Sequence, residues 1–142
     1  MRKLFFLFIF SGLSTFSFAQ KLPKKEVPSV VLNQFQIQFP KAFDIEWEKT
    51  TNGYKVEFDT KRSKDHEVWY SIEGKVLKHK EELSERNLPQ TIINYIENNY
   101  KGYKIDDVDK ITEKGKVVYQ IEVEKRANEI ILRFDEKGNL TP

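Results

Sequence analysis

Apolar residues first recur at helical spacing. Val31, Phe35 and Phe39 follow Val27-Pro28-Ser29, with Val30 and Ile37 beside them, and Ile92, Ile96 and Tyr100 follow Leu88-Pro89-Gln90, with Ile93 and Tyr95 beside them. A proline at the start of each run suits a first helical turn, where its missing N–H would be unpaired anyway. Pro28 and Pro89, Phe35 and Ile96, and Phe39 and Tyr100 are each separated by the same 61 positions. This spacing predicts an internal duplication.

After each predicted helix the period changes to two. Phe43, Ile45 and Trp47 alternate with acids, and Tyr54, Val56 and Phe58 alternate with Lys55, Glu57 and Asp59. Val68, Tyr70 and Ile72 then alternate with Glu67, Trp69 and Ser71. Gly74 marks a turn, and Val76 to Leu83 reads as a fourth, more polar strand. The second copy offers a weak first strand through Ile105, Val108 and Ile111. It continues with Val117, Tyr119, Ile121 and Val123, then Ile130, Leu132 and Phe134, and Gly138 turns before a short or missing last strand. Such alternation packs one face and wets the other. The predicted fold class is α+β: tandem helix-plus-antiparallel-sheet repeats, residues 27–83 and 88–142, with both helices on one face of a largely continuous meander sheet.

The first residues read differently. Arg2 and Lys3 precede an apolar run from Leu4 to Phe10, and Ser17-Phe18-Ala19 supplies small residues at a cleavage site. Residues 1–19 are expected to be a secretory signal peptide, cut between Ala19 and Gln20, with residues 20–26 a solvated linker to the fold. The apolar run is short of the roughly 20 residues a membrane span needs. A periplasmic or secreted location follows, with no stable membrane insertion after cleavage. Cys 0 means that the exported chain folds on its core alone.

Losing that leader balances the charge. Of Lys+Arg 24 and Asp+Glu 22, the leader takes two bases and no acid, leaving equal numbers. The basic footprint of a nucleic-acid binder is absent.

A family resemblance rests on the strand and cap residues. Val27-Pro28, Phe39-Pro40-Lys41-Ala42, Ile45-Glu46-Trp47, Gly53-Tyr54-Lys55-Val56-Glu57-Phe58 and the run Val68 to Val76 are its first part. Leu88-Pro89, Gly102-Tyr103 and Leu132 to Leu140 continue it. With these the chain resembles the PepSY-like, beta-lactamase-inhibitor-like proteins of bacterial envelopes. The resemblance implies tandem helix-plus-sheet modules, export and, by analogy, binding or inhibition of another protein. It brings no catalytic residues.

The residues themselves show no catalytic constellation, cofactor motif or metal motif. His66 and His79 lack paired metal spacing and read as solvated. Asp106, Asp107 and Asp109 lack the glycine and terminal glutamate of a calcium loop and read as an exposed loop and strand edge. Trp47, Tyr54 and Tyr103 read as core. Trp69 and its repeat counterpart Ile131, 62 positions later, fall instead on the polar register of their strands. Large apolar residues on a wet face serve as interface anchors or, as the alternative reading, simply cover neighbouring side chains, since single exposed apolar residues are normal. The expected function is a non-enzymatic exported module that binds an envelope or extracellular protein through Trp69 and Ile131, with Lys55, Glu57, Arg133 and Glu122 around them. Inhibition of a periplasmic enzyme is its sharper form. An envelope protein that self-associates through its sheet is the alternative, and a hydrolase using outward carboxylates such as Glu46, Glu48, Glu57 and Asp59 is a third.

Overall fold

The computed structural model describes residues 21–61, 63 and 65–142; the expected leader, 1–19, lies outside the described residues. Helix Ser29–Gln38 (α1) precedes strands Phe43–Thr50 (β1), Gly53–Asp59 (β2), His66–Ser71 (β3) and Val76–Glu82 (β4). Helix Gln90–Asn99 (α2) precedes Lys104–Glu113 (β5), Lys116–Lys125 (β6), Asn128–Asp135 (β7) and the short Leu140–Thr141 (β8). The strands form one eight-stranded antiparallel sheet in chain order. The predicted α+β architecture of two helix-plus-sheet units is therefore present.

Both helices start and stop for the same local reasons. Pro28 and Pro89, at φ −57° and −55°, sit immediately before the first helical residue. The first helix ends where Phe39 N–H bonds Phe35 O at 2.8 Å and Pro40 follows; the second ends with Tyr100 N–H on Ile96 O at 2.8 Å.

The same turn closes the third strand of each unit and presses on the start of its helix. Gly74 N–H bonds Ser71 O and Gly138 N–H bonds Asp135 O, both at 3.0 Å. These glycines have φ +82° and +84°, and an added Cβ would lie 3.1 Å from Val30 O or 2.3 Å from Thr91 Oγ1. Positive φ and close approach to the helix both select glycine. Val30 and Thr91 are themselves separated by the 61 positions of the helix repeat.

Each unit has its own core. In the first, Val31 and Phe35 pack on Trp47, Val56, Phe58, Val68 and Tyr70, with Tyr54 at its margin. In the second, Ile92 and Ile96 pack on Val108, Ile121, Val123, Leu132 and Phe134, with Tyr103 partly buried beside them. Fully burying such a side chain stabilises by about 1.5–3 kcal/mol. The register pairs Trp47 with Val56, Val56 with Val68, Val68 with His79, His79 with Thr112 and Thr112 with Val117. Both helices thus cover one face.

Three apolar positions depart from the simple alternation. Phe43 and Ile45 are 45% and 42% exposed. A bulge between Phe43 and Glu46, with Asp44 at φ +52°, puts an extra residue into β1 and breaks the inward register that Trp47 keeps. Ile72 lies beyond the end of β3, in the turn, and is 61% exposed. The stretch expected to be a solvated linker is docked from Lys21 onward. Lys21 bridges Glu48 on β1, Leu22 N–H bonds Trp47 O at 2.6 Å, and Lys24–Glu26 form a 3-10 turn.

Candidate functional site

The sheet face opposite the helices carries the residues marked for recognition. Lys55 is paired directly with Trp69, Trp69 with Lys78, and Glu122 with Ile131. The register continues this side through Lys80, Ile111 and Val118, so Trp69 and Ile131 share it. They do not share a patch. Trp69 is on β3 and Ile131 on β7, four strand spacings or roughly 19 Å apart across the sheet.

The structure therefore assembles two clusters. Around Trp69, Lys55 Nζ lies 2.5 Å from Glu57 and 3.0 Å from Glu48, and Lys78 Nζ sits 4.6 Å from the indole centroid. The ring is half-buried, with that cation over its face. Around Ile131, which is 59% exposed, Arg133 Nε donates to Gln120 Oε1 at 3.0 Å. Partial desolvation raises the pKa of neighbouring Glu122, reinforced by the acids Glu129, Asp106 and Asp107.

Between the clusters the charges are organised. Lys55 also reaches Glu67 at 3.6 Å, and Lys80 lies 3.4 Å from Glu67 and 3.1 Å from Asp109. Glu48, Lys55, Glu67, Lys80 and Asp109 thus form an alternating chain across β1 to β5. Burial opposes the Lys55 cation, but the bonds to Glu57 and Glu48 outweigh it and raise its pKa well above the usual lysine range. Asp109 is not the exposed strand-edge residue expected. It is 4% exposed in the middle of β5, and burial raises its pKa against the opposing pull of Lys80.

Beside this chain is an acidic basin of about 510 Å³, lined by Glu46, Glu57, Asp59, Glu82, Asp107 and Asp109 among others. A hydrogen bond to Asp65, then burial and the Asp107 charge, raise the pKa of Glu82. From the sequence, Glu46, Glu57 and Asp59 read only as outward residues of their own strands and Asp107 and Asp109 as a loop and strand edge. Only cross-strand register gathers them.

The histidines are not solvated as the sequence suggested. His66 is 5% exposed, stacked at 4.9 Å on Phe58, and its Nδ1 lies 3.2 Å from His79 Nε2. His79 is half-buried, with Phe39 edge-on at 5.5 Å. Burial lowers the pKa of both rings, outweighing the charge of Glu81. They lie on the helix side, because β3 and β4 present positions 66, 68, 79 and 81 to one face.

A family model described as "Putative beta-lactamase-inhibitor-like, PepSY-like" matches residues 16–78 and again 60–141. Among curated proteins none matches the chain. Solved structures share the fold. A BLIP-like protein (BF1215) from Bacteroides fragilis NCTC 9343 aligns with TM-score 0.69 and 23% identity over 85% of each chain. A protein from Bacteroides eggerthii DSM 20697, described as "putative periplasmic", aligns with TM-score 0.71 and 16% identity over 82% of this chain and 86% of its own. A DUF2874 family protein from Bacteroides ovatus ATCC 8483 aligns with TM-score 0.70 and 21% identity over 82% and 85%.

Proposed function

Because the chain belongs to the beta-lactamase-inhibitor-like, PepSY-like family, we propose that it is a non-enzymatic, exported protein-binding module whose bare sheet face is the recognition surface. The observation that carries this reading is the division of the sheet. Both helices and both cores lie on one side. The other side exposes Ile131, presents Trp69 under a cation, and concentrates carboxylates in one basin. Apolar anchors within a charged surround are the anatomy of a specific interface. The acid excess of the basin selects a partner that presents Lys and Arg, and makes association sensitive to salt.

Export is supported by the Arg2-Lys3, Leu4 to Phe10 and Ser17-Phe18-Ala19 pattern and by the likeness to a protein described as "putative periplasmic". No described helix is long and apolar enough to cross a membrane. In the sharper form of the proposal the partner is an enzyme outside the cytoplasm and binding blocks its activity.

Affinity capture from an envelope fraction tests the reading. The unmodified protein is expected to retain a partner that Trp69→Ala and Ile131→Asp lose, while Ile37→Asp on the exposed helix surface keeps it. The captured enzyme's turnover should fall as the unmodified protein is added. Equal capture by all four proteins overturns the assignment of the face.

One observation favours self-association as a second reading. β8 pairs only with Arg133 and Phe134, leaving residues 128–132 of β7 along a sheet edge. Unpaired edges template strand addition. Concentration-dependent mass in sedimentation, abolished by Ile130→Pro, would support pairing of two copies there.

A further inference from the structure

Two imidazoles and a carboxylate meet beside the C-terminal turn of α1, on the helix side of the sheet. His66 pairs with Glu81 in the β3–β4 register and Val68 with His79, so the three side chains project the same way. Their ligand atoms lie within 4.8 Å of one another, and among the described residues no other such group of His, Cys, Asp or Glu occurs.

Hydrogen-bond directions fix the binding nitrogen of His66. Thr60 Oγ1 donates its single proton to Ser63 O at 3.0 Å, so at its 3.2 Å contact with His66 Nε2 it accepts. Nε2 therefore carries the ring proton, and Nδ1 of the neutral ring holds a lone pair. That lone pair faces His79 Nε2 at 3.2 Å. Glu81 Oε2 lies 4.0 Å from the same Nδ1, and Lys110 Nζ holds Glu81 Oε1 at 3.3 Å.

Two ligands on one tetrahedral zinc ion, each bonded at about 2.0–2.1 Å, are roughly 3.3–3.4 Å apart. The two histidine nitrogens already stand near that separation, and the carboxylate oxygen, 4.0 Å from His66 Nδ1 and within 4.8 Å of the His79 nitrogen, closes by up to about 1.5 Å to match it. We propose that His66 Nδ1, His79 Nε2 and Glu81 Oε2 form a binding site for a divalent transition-metal ion of the Zn²⁺ class. The ion takes the place of the proton shared between the rings, and His79 then carries its proton on Nδ1.

The surroundings fit that role. Thr60 on His66 and Lys110 on Glu81 are outer partners of the kind that orient metal ligands. Two imidazoles and one carboxylate favour Zn²⁺, Cu²⁺ or Ni²⁺ over the all-oxygen cations Ca²⁺ and Mg²⁺. Burial lowers the pKa of both rings and so favours the neutral form that ligates. His66, His79 and Glu81 line a cavity of about 560 Å³ together with Phe39, Pro40, Ala42 and Thr60, which gives an ion a route in. The Lys110 charge opposes a dication, so affinity is modest.

Calorimetric titration of the purified protein with ZnCl₂ in a non-coordinating buffer tests the site. One equivalent is expected to bind, with affinity reduced at least about tenfold in His79→Gln and in Glu81→Gln. The melting temperature should rise with Zn²⁺ in the unmodified protein alone. Because the chain has only His 2, imidazole proton NMR supplies a readout that needs no variant: both ring signals should shift at one equivalent. Absence of stoichiometric binding, unmoved imidazole signals, or equal affinity in folded His79→Gln would each overturn the proposal.

Discussion

Single residues on this sheet hold more than their own place. Lys55 serves Glu48, Glu57 and Glu67 at once, with its side chain 16% exposed. Replacing it by Met leaves three carboxylates together. The expected cost lies between that of a surface pair and a buried one, about 1–2 kcal/mol by urea unfolding at pH 7. The pH dependence has a definite sign. The folded-state pKa is raised above the unfolded value of 10.5, so the Lys55 contribution is complete below that pH and is lost as pH rises through the folded value. In Lys55→Met this alkaline loss should be absent. Tyr70 gives a second, smaller test. It is fully buried, and its hydroxyl donates to Gln38 Oε1 at 2.8 Å, joining β3 to the end of α1. Tyr70→Phe should cost about 1 kcal/mol. At this scale the sequence was legible where a residue broke its own strand's pattern, as Trp69 and Ile131 do. It was not legible where function depends on two strands. His66 and His79 are 13 positions apart and meet only because β3 and β4 pair as they do, and Asp109 meets Lys80 only across the β4–β5 pairing.

Among elements, the two helix–strand–turn units are the reproducible object. Proline placement, helix length and the glycine turns recur, and all were present in the chain as spacing. Gly138→Ala forces a left-handed position on a side chain and drives Cβ against Thr91. It should cost about 1–2 kcal/mol, read as a lower midpoint in denaturant melts, with Gly74→Ala showing a similar loss in the first unit. The first strand was less legible. Phe43-Asp44-Ile45 alternates on paper, but the bulge and the positive φ of Asp44 arise from pairing with β2, which a period-two pattern does not encode. Likewise Lys21 to Glu26 has the composition of a linker, and its docking depends on the edge of β1 being open to receive it.

At the scale of the whole molecule, helices on one side of a continuous sheet leave the other side with no layer of its own. That asymmetry followed from the two periods in the sequence, while the acidic basin and the separation of Trp69 from Ile131 required the register of β1 to β7. Binding should weaken steeply between low and physiological salt if the basin meets a basic partner, and measured association rates should carry most of that change. The most direct measurement is hydroxyl-radical footprinting of the protein alone and bound to its captured partner, read residue by residue. Protection of Trp69 and Ile131 with Ile37 unchanged is the predicted result; protection of Ile37 and its helix, with Trp69 and Ile131 as reactive as before, would contradict it.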